Sequence, residues 1–222
     1  MNETPSAAIA RIGTSPLKRL AWAVDFSQRT ILSENISNAI LELNCFVFAP
    51  HLFPNRPRQI NALMTNPVWK DHRYGREELA EMQRRFLDVL NTVCGKGKIE
   101  LSLDYVIANF TRNEGLQYVS RFPGWSADGS ITDKQRTEAK LEMATLKFLR
   151  LLDETVRSKG GQRLTPLRQY VGICPKVKDG CGRLFAKTRI DQEHCTRTCA
   201  VRHQVYRFRM GRAKQKRKKT LR

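Results

Sequence analysis

Four cysteines near the C-terminal end of this 222-residue sequence have a spacing that could bind a metal ion. Cys174, Cys181, Cys195 and Cys199 follow the pattern Cys-x6-Cys-x13-Cys-x3-Cys. Zn²⁺ prefers four tetrahedral ligands in structural sites, and thiolates suit it well. In a reducing compartment, cysteines clustered in this way indicate metal binding rather than disulfides. We therefore predict a structural Zn²⁺ site, and its four protein ligands disfavour a catalytic metal because they close the coordination sphere.

The first cysteine pair needs a tight turn so that both sulfurs can reach one ion. Residues 178–180, Lys-Asp-Gly, are turn formers and come directly before Cys181. Gly182 follows, and it relieves crowding where backbone amides approach the sulfur. Leu184 and Phe185 then predict a short strand that covers the metal. This half of the site is typical of a zinc knuckle.

The second pair, Cys195 and Cys199, is separated by one helical turn. We expect Cys195 at or just before the start of a helix over about residues 196–210, with Cys199 in its first turn. The amides at a helix N-terminus also favour a thiolate. His194 and His203 are rival ligands, because His203 lies four residues after Cys199, but we favour the four cysteines. A knuckle followed by a helix predicts a treble-clef-like finger.

The sequence around and after these cysteines is strongly basic. The formal net charge of the chain is +19. Residues 157–222 hold 20 Lys and Arg against 3 acidic residues, whereas residues 1–156 hold 20 against 18. A localised basic block predicts a polyanionic partner, and nucleic acid is the one we expect. The side chains expected to contact it are Arg202, Arg207, Arg209, Arg212, Lys214, Lys216, Arg217, Lys218 and Lys219.

The predicted helix also has an apolar side. Val201, Val205 and Phe208 recur at helical spacing and therefore share one face. We expect this face to pack against Leu184 and Phe185 of the knuckle strand.

Base readout would have to come from the ordered part of this helix. Arg202, Gln204, Arg207 and Arg209 are the candidates, and Arg is the commonest reader of guanine edges. Residues 212–222 are basic on every side and have no apolar face, so we expect them to be disordered when free. Such a tail would bind phosphates without reading sequence.

These cysteine segments resemble the C-terminal finger of the CGNR zinc-finger proteins. The similar segments are Leu-Arg-Gln-Tyr-Val-Gly-Ile-Cys at 167–174, Cys-Gly-Arg-Leu-Phe at 181–185, Cys-Thr-Arg-Thr-Cys-Ala-Val-Arg at 195–202 and Tyr-Arg-Phe-Arg at 206–209. They lie within residues 164–212, and the tetrapeptide that names the family reads Cys-Ala-Val-Arg here. The resemblance implies a bacterial transcription regulator with a basic helix after the fourth cysteine. It also implies a helical N-terminal domain that senses stress or a ligand.

The remainder of the chain predicts a mainly helical fold. Apolar residues recur at helical spacing after Pro16, after Ser33, over 76–94 and over 132–158. Residues 99–105 alternate in a way that predicts a strand, although 106–110 could instead be helical. Gly160 and Gly161 mark the best domain boundary. We divide the chain into a flexible arm at 1–15, a helical domain at 16–160, a zinc-finger domain at 161–211 and a disordered basic tail at 212–222.

Three functions fit these patterns, and we favour a DNA-binding transcription regulator. An RNA- or ribosome-associated zinc protein is the alternative, because basic tails and small zinc modules occur there too. An enzyme with its active site in residues 16–158 and the finger as a docking module fits less well. His51 and His72 lie in predicted loops without a visible catalytic partner, so we expect no catalytic activity. The N-terminal domain could bind an unidentified effector or form a homodimer.

The remaining cysteines and the N-terminus suggest a cytoplasmic protein. Cys45 and Cys94 lie in apolar helical surroundings, where free cysteine acts as a small hydrophobe. The N-terminal residues lack the features of a secretory signal, and no apolar run approaches the roughly 18 residues of a membrane span. We therefore expect a cytoplasmic location and no membrane partner.

Overall fold

The computed structural model describes residues 4–52, 74–95, 98–102, 106–111, 113–120, 133–157, 164–175 and 181–220, and at 212–220 it describes the backbone. The fold is mainly helical, as predicted. The helices of the described ranges are α1 (Pro5–Ile12), α2 (Pro16–Gln28), α3 (Ile36–Leu52), α4 (Arg76–Cys94), α5 (Asp133–Asp153) and α6 (Arg197–Thr220). Among them, none is both long and apolar enough to cross a lipid bilayer.

Three small antiparallel sheets accompany the helices. The first is a meander of β1 (Lys98–Ser102), β2 (Val106–Thr111) and β3 (Gly115–Ser120). The other two are two-stranded: β4 (Thr155–Arg157) pairs with β5 (Leu164–Pro166), and β6 (Val171–Ile173) pairs with β7 (Leu184–Ala186). The predicted strand at 99–105 is present over 99–102. The helical alternative for 106–110 is wrong, because β2 is the central strand and pairs on both edges.

Aromatic side chains from four helices form the centre of the core. Trp22 and Phe26 of α2, Phe46 of α3, Phe86 of α4 and Phe148 of α5 are all buried. The ring centroids of Phe86 and Phe148 are 4.3 Å apart, and those of Trp22 and Phe46 are 4.7 Å apart. Both pairs are stacked, a geometry that contributes about 0.5–1.5 kcal/mol beyond the burial of area. These ring contacts join α2, α3, α4 and α5 at one centre.

The predicted flexible arm at 1–15 is wrong, because residues 5–12 form α1. Thr4 caps this helix and Pro5 occupies its first turn, as Ser15 and Pro16 do for α2. Eight residues are too few for a helix to be stable alone. Tertiary contacts stabilise α1: Ala8 and Ile12 are buried in the common core.

A buried ion-pair network also holds α1 in place. Glu42 of α3 is buried, and its Oε1 accepts a hydrogen bond from Arg11 Nε at 2.8 Å. Its Oε2 accepts from Trp22 Nε1 at 2.9 Å and from Arg29. A buried carboxylate requires such partners. Both oxygens are engaged in structural contacts, which connect α1, α2 and α3.

The predicted boundary at Gly160-Gly161 does not separate two folding units. It lies outside the described residues, but the strands on either side, β4 and β5, pair with each other. Helix α5 ends at Asp153 rather than near 158, because Thr155–Arg157 forms β4. The segment after the boundary then joins the common core through the buried side chains Leu167, Tyr170, Val171 and Leu184.

Candidate metal centre and basic helix

The four predicted cysteine ligands converge on one point. The sulfurs of Cys174, Cys181, Cys195 and Cys199 all lie within 4.8 Å of one another. Cys195 Sγ is 3.3 Å from Cys181 Sγ and 3.5 Å from Cys199 Sγ, and Cys199 Sγ is 3.9 Å from Cys181 Sγ. Four sulfurs about 2.3 Å from a tetrahedral Zn²⁺ would be about 3.8 Å apart. The cluster could therefore hold a metal ion and is compatible with Zn²⁺.

The β6–β7 hairpin positions the first two ligands. Cys174 directly follows β6, where its N–H donates to the carbonyl of Arg183 at 2.9 Å and its side chain is 1% exposed. Cys181 lies on the approach to β7 and is exposed. Gly182, between Cys181 and β7, has a φ of 61°, a left-handed conformation that glycine adopts without strain. The predicted turn at 178–180 lies outside the described residues. The predicted strand at Leu184 and Phe185 is present as β7.

The start of α6 positions the other two ligands, as the spacing predicts. Cys195 lies two residues before the helix, and Cys199 lies in its first turn. Thr196 caps the helix: Cys199 N–H donates to its Oγ1 at 3.2 Å, and Ala200 N–H donates to its carbonyl at 3.1 Å. We did not predict this role for Thr196, although a threonine just before a helix is a recognisable cap signal.

The thiols lie in different surroundings, which shift their pKa values in different directions. Burial and hydrogen bonds with neighbouring sulfurs raise the pKa of Cys195 to about 12. Burial likewise raises the pKa of Cys174. Hydrogen bonds from Thr196 and Cys195 lower the pKa of Cys199 to about 7. Four thiolates so close together repel one another, and a bound cation removes this cost because it stabilises the charged form of every ligand.

The two rival histidines do not join the ligand cluster. His194 Nε2 and His203 Nδ1 are 3.0 Å apart and hydrogen-bonded to each other. Among the described residues, the four cysteines are the one group of metal-binding side chains with suitable geometry. The histidine pair instead connects the loop before Cys195 to the second turn of α6.

A glutamine far away in sequence anchors the hairpin to the helical core. Gln28 Nε2 donates to the carbonyl of Leu184 at 3.0 Å, and Leu184 N–H donates to Gln28 Oε1 at 3.1 Å. The side-chain amide thus pairs with β7 as a neighbouring strand would. Gln28 and Leu184 are 156 residues apart, so no local sequence signal identifies this contact.

The basic helix extends further than predicted. Arg202, Arg207 and Arg209 are exposed on α6, which continues to Thr220 instead of ending near residue 210. The prediction of a disordered tail at 212–222 is therefore wrong for 212–220. Arg, Lys, Gln and Ala have high helix propensity, and extending an existing helix costs less than nucleating a new one. The other six predicted contacts lie on this extension, where the backbone is helical: Arg212, Lys214, Lys216, Arg217, Lys218 and Lys219.

The apolar face of α6 is not packed against the knuckle strand, contrary to our prediction. Val201, Val205 and Phe208 are 50%, 43% and 61% exposed. Leu184 and Phe185 are buried, β7 lies against α2, and Leu184 belongs to the common core. The apolar side chains of α6 therefore remain largely on the surface.

Comparisons of the chain with protein-family models, with curated proteins and with solved structures give no match. The resemblance to CGNR zinc fingers therefore stays a prediction.

Proposed function

We propose that this chain is a zinc-dependent DNA-binding protein that regulates transcription. One observation carries the proposal: four cysteine sulfurs converge at the base of a helix that carries ten Lys and Arg and no acidic residue. Cys199 lies in the first turn of this helix and Cys195 lies two residues before it, so a bound metal would fix the position of the cationic surface relative to the hairpin. The β6–β7 hairpin and the start of α6 would form a treble-clef-like finger.

Zn²⁺ in this finger would have a structural role. Cys174, Cys181, Cys195 and Cys199 would fill its coordination sphere, and bound zinc would neutralise part of the thiolate charge and link α6 to the hairpin. Structural zinc contributes about 10–16 kcal/mol of apparent binding free energy in finger peptides at pH 7. Most residues of α6 between 201 and 211 are exposed, so this link would decide where the helix points.

The shape of α6 supports duplex DNA over duplex RNA. A helix of 24 residues is about 36 Å long, and its diameter with side chains is about 10–12 Å. The major groove of B-DNA is about 12 Å wide and admits a helix. The major groove of A-form RNA is deep and narrow, and side chains cannot read it. The ten cations of α6 supply the sequence-independent part of the affinity.

The test is binding of the zinc-loaded protein to a labelled mixed-sequence DNA duplex, an RNA duplex and an RNA hairpin at near-physiological salt. We expect the DNA duplex to bind most tightly and a chelator to abolish that binding. Selection of bound sequences from random duplex DNA then tests regulation, which requires an enriched motif. Tighter binding to either RNA would favour the RNA-associated alternative, and no binding to any probe would overturn the proposal.

A further inference from the structure

The candidate base-reading side chains of α6 lie on two different faces. Successive residues of an α-helix are about 100° apart around its axis, so Arg202 and Arg209 differ by only about 20°. Gln204 and Arg207 differ by about 60°, whereas Arg207 and Arg209 lie about 160° apart. One strand of a nucleic acid cannot lie against both pairs at once.

The Gln204 and Arg207 face borders a groove. The groove has a volume of about 600 Å³ and lies between the loop at 188–196 and the first three turns of α6. The hydrogen bond between His194 and His203 spans it and holds the two sides together. Its lining residues are Thr188, Arg189, Asp191, Gln192, Glu193, His194, Cys195, Thr196, Arg197, Ala200, His203, Gln204 and Arg207.

Three arginines reach this groove from both sides. Arg189 belongs to the loop, Arg197 begins α6, and Arg207 lies on the third turn of the helix. Arginine binds phosphate oxygens in a bidentate manner, and a concave surface lets cations contact one phosphate strand from two directions. The exposed apolar side chains Val201, Val205 and Phe208 lie between the face that borders the groove and the face of Arg202 and Arg209, and they offer phosphate no hydrogen bond.

We propose that this groove holds one phosphate strand of the bound nucleic acid, and that Arg207 and Gln204 contact it while Arg202 and Arg209 do not. This inference rests on the proposed function and adds the docking face. A metal bound to the cysteines would fix the direction of the groove. Cys195 lines the groove, and Cys199 lies in the first turn of α6 beside Ala200, which also lines it.

Two acidic residues, Asp191 and Glu193, also line the groove, and removal of their negative charge should strengthen the binding of a phosphate strand. Asp191 is 3.5 Å from Arg189 and is partly neutralised by it. A phosphate strand in the groove would be repelled by Glu193, so removal of that charge would strengthen binding.

The experiment compares single variants of the zinc-loaded full chain with a labelled mixed-sequence DNA duplex in about 0.1 M salt. Arg207→Ala should weaken binding roughly tenfold. Arg202→Ala and Arg209→Ala each remove the same charge from the other face and should weaken it less than about threefold. Glu193→Gln should tighten binding roughly three- to fivefold. Glu34→Gln makes the same charge change at an exposed position just before α3, and it should leave binding unchanged.

Zinc stoichiometry and circular dichroism of each variant establish that the fold is intact. A larger loss from Arg202→Ala or Arg209→Ala than from Arg207→Ala would overturn the groove assignment and leave the proposed function standing. Equal responses to Glu193→Gln and Glu34→Gln would also overturn it. If the unaltered protein binds neither DNA nor RNA, the proposed function fails before any variant is compared.

Discussion

At the scale of single residues, the four cysteines of the candidate metal centre are unequal. Cys174 is fully buried at the end of β6, so its replacement would also disturb packing. Cys181 is exposed and makes its described side-chain contacts with the sulfurs of Cys195 and Cys199. It is therefore the position where loss of a ligand can be separated from loss of packing.

Cys181→Ser should lower the zinc affinity by more than about 100-fold, because one of four ligands is lost. Titration with a chromophoric zinc chelator measures this change. Cys45→Ser is the matched control, since Cys45 lies in α3 and is not one of the four clustered cysteines, and it should retain one zinc per chain. An unchanged affinity in Cys181→Ser would show that Cys181 is not a ligand.

At the scale of elements, the β6–β7 hairpin contributes to both the candidate metal centre and the hydrophobic core. Its two cysteines, Cys174 and Cys181, belong to the candidate metal centre, while Val171 and Leu184 belong to the core of the helical bundle. Metal removal should therefore increase amide hydrogen exchange in the loop at 187–196 and in the first turns of α6. The hairpin should stay protected, because hydrophobic burial holds it without the metal.

Gln28→Ala should destabilise the folded protein by about 0.5–1.5 kcal/mol, because the amide and carbonyl of Leu184 exchange partly buried hydrogen bonds for bonds to water. Chemical denaturation measures the free energy of unfolding, and hydrogen exchange at Leu184 should rise at the same time. Gln204→Ala, at an exposed position on α6, is the control and should change the stability by less than about 0.5 kcal/mol. Similar losses in both variants would contradict the anchoring role of Gln28.

At the scale of the whole molecule, charge and hydrophobic core are separated. Residues 1–156 carry a balance of +2 and supply most of the buried side chains. Residues 157–222 carry a balance of +17, and much of it lies on α6, where most of the residues with described side chains, 197–211, are exposed. Electrostatic self-repulsion on α6 is therefore not compensated by packing, and a polyanion would relieve it.

Deletion of residues 212–222 removes seven Lys and Arg and should weaken binding to every duplex. The slope of log K against log salt should become less steep by up to about 6, at about 0.9 per phosphate contact. Replacing the same seven residues with Gln should have the same effect while keeping the length. The zinc affinity and the thermal unfolding midpoint should not change. An unchanged salt slope would show that this segment does not contact phosphate.

Helix amphipathicity and cysteine spacing could be read from the sequence because both are local properties. The periodic apolar residues of α4 predict its bounds, since burial of one face stabilises a long helix. Local patterns could not identify α1, because its eight residues are stable only against α3. They also could not show that the strands on both sides of Gly160-Gly161 pair, since two glycines are equally typical of a linker and of a hairpin loop.

The sequence by itself determined the spacing of the four cysteines, the position of the basic block and the mainly helical fold. Each of these depends on residue type and short-range spacing. The tertiary structure decided three other features: the exclusion of His194 and His203 from the ligand set, the attachment of the hairpin through Gln28, and the exposure of the apolar face of α6. These depend on which distant surfaces meet, and that outcome is set by the balance of burial over the whole chain.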